Sequence, residues 1–97
     1  MVEQGDILMC DDVKFPVVVV SKNTYNKSGK AIVCPLINDD GAVLSFCVTL
    51  NDSKKYAQCD DVRRLDLSKR FFSVVGRLGM ADLLNVLSRV NSLFDFV

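Results

Sequence analysis

Lys22, Lys27 and Lys30 surround Tyr25 in the polar stretch KNTYNKSGK, and Arg63, Asp66 and Arg70 follow farther along the chain. Three ammonium groups around one aromatic ring can hold a single strand of nucleic acid by phosphate contact and base stacking. The same residues equally suit a solvated hairpin tip. Arg63, Asp66 and Arg70 can form a charge-assisted network at a sheet edge, or an ordinary surface ion-pair cluster of little energetic weight. The four cysteines, Cys10, Cys34, Cys47 and Cys59, make no Cys-x-x-Cys pair, and the chain has no histidine. A tetrahedral zinc site would need all four thiolates or help from carboxylates. Each cysteine instead sits in an apolar, strand-like stretch, where a reduced thiol acts as a small hydrophobe. Buried free cysteines are expected, with no metal and no cofactor.

Charge narrows the partners. Twelve basic and twelve acidic residues give a net charge of +0 and a pI near 6.1. A dedicated duplex-binding domain is strongly basic, so non-specific DNA coating is disfavoured; a local groove for a short single strand is not. Ninety-seven residues suit one domain, spanning 1–97, with a core that needs neither disulfide nor metal. The apolar content of 49% and mean hydropathy of +0.23 are high for so small a chain. Some apolar surface should therefore lie in a subunit interface, and a homodimer is expected. No leader and no apolar run near the ~18 residues of a membrane span appear, so the chain reads as cytoplasmic with no membrane contact.

The elements that must position these groups are short. Gly5 to Cys10 reads as a strand, and Asp11-Asp12 as a tight connection. Phe15 to Ser21, with four consecutive valines after Pro16, reads as a strand buried on both faces, because β-branched side chains fit a pleated surface. Lys22 to Lys30 reads as a hairpin loop, Ala31 to Leu36 as the returning strand, and Asn38-Asp39-Asp40-Gly41 as a turn. Val43 to Leu50 alternates with period two, and Asn51 to Lys55 is a polar turn. Tyr56 to Leu65 reads as one charged strand and Phe71 to Val75 as a short one ending at Gly76. From Met80 the period becomes helical: Met80, Leu83, Leu84, Leu87, Val90 and Phe94 form a stripe, with Asp82, Asn85, Ser88, Arg89 and Asn91 largely opposite. Gly79 is a candidate N-cap, and Asp82 places an acid in the first turn. The predicted fold is α+β and mainly β, a small SH3-like antiparallel barrel whose end is sealed by a C-terminal helix.

One ordered set of residues carries more. Gly5-Asp6-Ile7, Phe15-Pro16-Val17-Val18-Val19-Val20-Ser21, Tyr25-Asn26, Val33-Cys34-Pro35, Asp60-Asp61-Val62-Arg63-Arg64-Leu65-Asp66, Arg70 and Val75-Gly76-Arg77-Leu78 together resemble the MazF/PemK (Kid-like) growth-inhibitor family. The resemblance implies a dimeric CcdB/MazF-like barrel, an antitoxin partner, and metal-independent cleavage of single-stranded RNA at short sequences. Such cleavage needs a base for the 2′-hydroxyl, an acid for the leaving 5′-oxygen, and donors for the charge on phosphorus.

The departures fall on that machinery. The family's arginine before the strand proline is here Phe15, with Lys14 one residue earlier; in a strand Lys14 would face the other way. The family's hydroxyl at the end of the third strand is here Ile37, with Asn38 beside it. The family's arginine two residues before Asp60 is here Gln58, while Asp60 matches a position implicated as an acid. The connection between Gly5 and Pro16 is also short. The resemblance thus leaves Asp60, Lys14 and Asn38 as catalytic candidates, and Lys22, Tyr25, Lys27, Arg63 and Arg64 as candidates for holding RNA. Two readings follow: a toxin of a toxin–antitoxin module with impaired endoribonuclease chemistry, or a non-catalytic module that binds antitoxin, toxin subunit or RNA. The ending Phe94-Asp95-Phe96-Val97 does not resemble the tail of the related gyrase-poisoning toxin, which makes gyrase a weak third target.

Overall fold

In the computed structural model, residues 1–38, 47–50 and 55–94 are described, the side chains of 47–49 excepted. Strands β1 (Asp6–Cys10), β2 (Val17–Val19), β3 (Lys30–Asn38), β4 (Cys47–Thr49), β5 (Lys55–Gln58), β6 (Arg63–Asp66) and β7 (Phe72–Arg77) are joined by a one-turn helix α1 (Asn23–Asn26). A 3-10 turn (Leu67–Lys69) precedes β7, and helix α2 (Met80–Ser92) follows it. Every pairing is antiparallel, in the order β4-β5-β3-β2-β1-β7, with β6 also on β3. This is the mainly β antiparallel sheet with a C-terminal helix that the sequence predicts. The turn expected at Asn38–Gly41, most of the alternation expected over Val43–Leu50, the turn after Asn51, the Cys47 side chain and the tail beyond Phe94 lie outside the described residues.

The valine run is buried on both faces, as expected. Val18 and Val20 join Cys34, Leu36, Leu50, Ala57, Cys59, Leu78, Leu83 and Val86 in one cluster. Val17 and Val19 join Val2, Leu8, Cys10, Ala31, Val33, Leu65 and Leu67 in another. Period-two alternation within a strand that has apolar matter on both sides produces both clusters at once.

Pro35 decides where the sheet breaks. The Leu36 amide donates to Pro16 O at 2.8 Å, toward β2. Amides alternate sides along a strand, so the imino nitrogen of Pro35 faces the opposite edge, where it can donate nothing. There the ladder is interrupted. Between Leu36↔Ala57 and Val33↔Arg63, β3 moves three residues while its partner moves six. The single strand expected over Tyr56–Leu65 is therefore two, β5 and β6, separated by a bulge at 59–62. The bulge is held by Asp61 N donating to Gln58 O at 3.3 Å.

Two further expectations are corrected. Lys22–Lys30 is not a plain hairpin loop: it contains α1, tied down by a buried pair. The Ser21 hydroxyl donates to Asn26 Oδ1, Asn26 Nδ2 donates to Ser21 O at 3.1 Å, and Ile32 N donates to Ser21 Oγ at 2.9 Å. On α2, the buried face is Asp82, Leu83 and Val86, whereas Met80 and Leu84 are 68% and 58% exposed. The stripe is rotated from its sequence-derived centre because Leu83 must reach Gly5 and Val86 must cap the first cluster. Asp82 is buried and has a polar partner; the polar-face expectation fails there.

Gly5 is the joint between β2, β7 and α2. Its φ is +97°, its amide donates to Val19 O at 2.8 Å, and its carbonyl accepts from Leu78 N at 2.9 Å. A Cβ there would lie 3.0 Å from Leu83 Cδ2. Gly5→Ala meets both a left-handed backbone and the helix, and should cost about 1–3 kcal/mol of stability. Chemical denaturation measures this; unchanged stability would contradict the packing described.

Candidate functional site

The irregular connection between β1 and β2 runs alongside β3 and the bulge, and the three enclose an open trough of about 260 Å³. Its floor is Val33, Pro35 and Ile37, alternate residues of β3 and therefore on one face. Arg63 and Leu65 of β6 form one wall, with Gln58 and Asp61 beside them; Asp12, Lys14 and Phe15 form the other. The proline that breaks the ladder thus also floors the trough, and the bulge it permits supplies Asp61.

Lys14 and Phe15 both line the trough, although strand alternation predicts opposite faces. Residues 12–15 precede β2 and are not extended strand, so alternation does not apply. Lys14 Nζ sits 5.4 Å from the centroid of the Phe15 ring, a solvent-exposed cation–π contact. Opposite them, Arg63 Nε and Nη2 meet Asp61 Oδ1 and Oδ2 at 3.0 and 3.3 Å. The planar fork of the guanidinium accepts the carboxylate edge-on. Both partners remain substantially exposed, 67% and 36%, so the pair is weak in free energy.

The expected Arg63–Asp66–Arg70 network does not form. Arg63 takes Asp61. Arg70 Nη1 reaches both Asp12 oxygens at 3.0 Å and fastens the loop wall, while its Nε meets only the Asp66 carbonyl at 3.4 Å. The Asp66 carboxylate accepts from Ser68 Oγ at 2.6 Å and Ser68 N at 3.2 Å, capping the 3-10 turn. Those Ser68 bonds hold the Asp66 carboxyl below its usual range. For Arg63 and Asp66, partners two residues away win because they order fewer side-chain torsions than a long-range network would, whereas Arg70 takes Asp12 across the fold.

The sequence candidates divide accordingly. Lys14 and Arg63 are in the trough, with Phe15, Ile37 and Gln58, the three positions where the pattern departs. Asp60 and Asn38 are exposed and do not line it; their neighbours Asp61 and Ile37 do. Arg64 lies next to Arg63 on β6 and so on the other face. Lys22 and Tyr25 are exposed on or beside α1, and Lys27 borders a separate hollow with Asn26, Ser68 and Phe72. Asp61 and Asp12 were missed. Asp61 was legible only as an Asp-x-Arg spacing, which becomes a pair once the bulge turns both side chains to one side.

Cys10, Cys34 and Cys59 are free and buried, as expected. No group of three metal-ligating residues occurs among the described residues. The Cys34 thiol is pushed far above its usual range by its hydrogen bond with Cys59 and by burial.

The family model of the PemK-like, MazF-like toxin of type II toxin-antitoxin system matches residues 3–94. No curated protein sequence matches significantly. Among solved structures, the MazE-MazF complex (Form-II) from Deinococcus radiodurans is similar at 22% identity and a TM-score of 0.82, over 99% of this chain and 97% of that one. MazF (Form-I) from the same organism matches at 21% identity and a TM-score of 0.80, over 95% and 94%. A mycobacterial endoribonuclease in complex with its cognate antitoxin matches at 15% identity and a TM-score of 0.76, over 100% of both chains. At these identities the likeness shows the fold.

The thiols give a direct check. Cys34 and Cys59 should resist iodoacetamide in the native protein and react once it is unfolded, as read by peptide mass spectrometry. Rapid native labelling of either would contradict the burial described.

Proposed function

Because this chain belongs to the PemK-like, MazF-like toxins of type II toxin-antitoxin systems, we propose that it receives single-stranded RNA in the Lys14–Phe15–Arg63 trough and cleaves it poorly. The observation that carries this reading is a coincidence of place. Phe15, Ile37 and Gln58 come from three separate segments, yet they line one cavity. Loss of reactive groups confined to one cavity, in a chain whose core pattern is kept, is the mark of a site whose chemistry has declined while its shape persists.

The chemistry follows from what remains. Lys14 and Arg63 supply positive charge for a phosphate, and the half-exposed Phe15 ring offers a face on which a base can stack. Asp60 and Asn38, each one residue from a lining residue, are the acid and amide that the family pattern offers, and both stand outside the lining itself. Absent from the trough are the guanidinium expected at 15 and the hydroxyl expected at 37. Each lost donor to the transition state typically lowers the rate by about 10²–10³. Arg63, engaged by Asp61, restores only part of that charge.

The partners follow the family. An antitoxin binds this toxin, and the pair acts in the cytoplasm; no helix among the described residues is long and apolar enough to cross a membrane. The toxin is a homodimer through β7 and α2. Strand β7 pairs only with β1 among the described residues and is exposed along its whole length. Phe72, Val74 and Val75 on it, Phe71 before it, and Met80 and Leu84 on α2 are all exposed. An apolar edge strand left bare invites pairing with another chain.

Two measurements test this reading. Incubated with single-stranded RNA, Phe15→Arg/Ile37→Thr should cleave at least about 100-fold faster than the natural chain. Cleavage by the natural chain at the variant's rate, abolished by Asp60→Ala, would sink the claim of impairment. Val75→Lys should shift the sedimentation of the protein from dimer toward monomer; an unchanged dimer would place the interface elsewhere.

A further inference from the structure

Among the described residues Arg63 is the one guanidinium lining the trough, and its side-on edge is already occupied. Asp61 Oδ1 and Oδ2 meet Nε and Nη2 at 3.0 and 3.3 Å, the two-point geometry by which arginine also takes a phosphate. The charges lining the trough cancel in pairs: Asp12 and Asp61 against Lys14 and Arg63. Asp12 is also bound by Arg70 from outside the lining, whereas Lys14 makes no ion pair among the described residues and lies over Phe15. Asp61 is therefore the charge that sets whether the trough attracts an anion.

We propose that Asp61 is a built-in competitor for the RNA phosphate: its carboxylate holds the Arg63 fork, and a bound strand must displace it. Three features make the displacement feasible. The pair is exposed, so water solvates the carboxylate when it leaves. It is local, spanning two residues, so release needs only side-chain rotation. The bulge backbone is fixed separately by the Asp61 amide on Gln58 O at 3.3 Å, so freeing the carboxylate does not unfold the wall. Asp61 thus lowers the affinity of the trough for polyanions and spares it for ligands that bring more than one phosphate contact. The proposal rests on the RNA reading of the trough, and the experiment separates the two.

Asp61→Asn keeps the shape and removes the charge. Fluorescence anisotropy with a short labelled single-stranded RNA should show binding about fivefold tighter than in the natural chain. The slope of log K against log salt should stay that of the natural chain, because the same phosphate contact forms once the carboxylate is displaced. Adding Arg63→Gln should erase the gain in affinity and flatten that slope by about 0.7, the increment for one phosphate contact on a single strand. Inorganic tripolyphosphate, titrated by NMR, should follow the same order. Equal or weaker RNA binding by Asp61→Asn would overturn the proposal and make Asp61 a positioning residue for Arg63. A gain that survives Arg63→Gln would overturn it too, since the effect would be general charge. If RNA binds neither protein but tripolyphosphate binds Asp61→Asn more tightly, the RNA reading fails and the competition stands. Indifference of both probes to the substitution removes the competition.

Discussion

Val17–Val19 lie antiparallel to Val33–Pro35, and this short ladder has apolar matter on both of its faces. Val18, Val19 and Val33, all essentially without solvent exposure, are each worth about 1.5–3 kcal/mol of burial. Among the described residues, β2 and β3 each contribute side chains to both clusters. β1 docks on the outer edge of β2, and β5 and β6 on the far edge of β3, so the order of the sheet follows from this pair. Helix α2 then closes the first cluster with Leu83 and Val86, held at its distance by the absence of a side chain at Gly5.

The same pair determines where chemistry can occur. A proline inside a central strand is tolerated only where no donor is required. Pro35 meets that condition by facing the gap between β5 and β6. The gap lets the partner chain bulge, and the bulge brings Gln58, Asp61 and Arg63 against the loop that carries Lys14 and Phe15. A fold requirement and the shape of the trough are met by one residue, so that shape does not depend on the side chains along its open rim. Side chains in an open trough are under little packing constraint, so their identity can vary without loss of the core.

Electrostatics and apolar surface then separate two faces of the molecule. The trough is lined by charges that cancel, in keeping with a chain of net charge +0. β7 and the exposed side of α2 present Phe71, Phe72, Val74, Val75, Met80 and Leu84 instead. Asp82, buried within α2, has a polar partner and shares the lining of a second hollow with Arg77, Leu78 and Lys55.

Local pattern alone determined a good deal. Consecutive valines after a proline fixed a doubly buried strand, helical spacing from Met80 fixed α2 to its first residue, and isolated cysteines in apolar runs fixed buried thiols. These are short-range properties of neighbouring side chains, and short-range physics suffices for them. Tertiary structure decided the rest. Whether Tyr56–Leu65 is one strand or two depended on the proline across the ladder. Whether Lys14 faces the trough depended on residues 12–15 lying outside extended strand, next to the Asp12–Arg70 contact. The partner of Arg63 depended on a bulge that turns Asp61 beside it, and the buried side of α2 depended on where Gly5 admits Leu83. Each of these is a contact between segments distant in the chain, and no periodicity in either segment records the other.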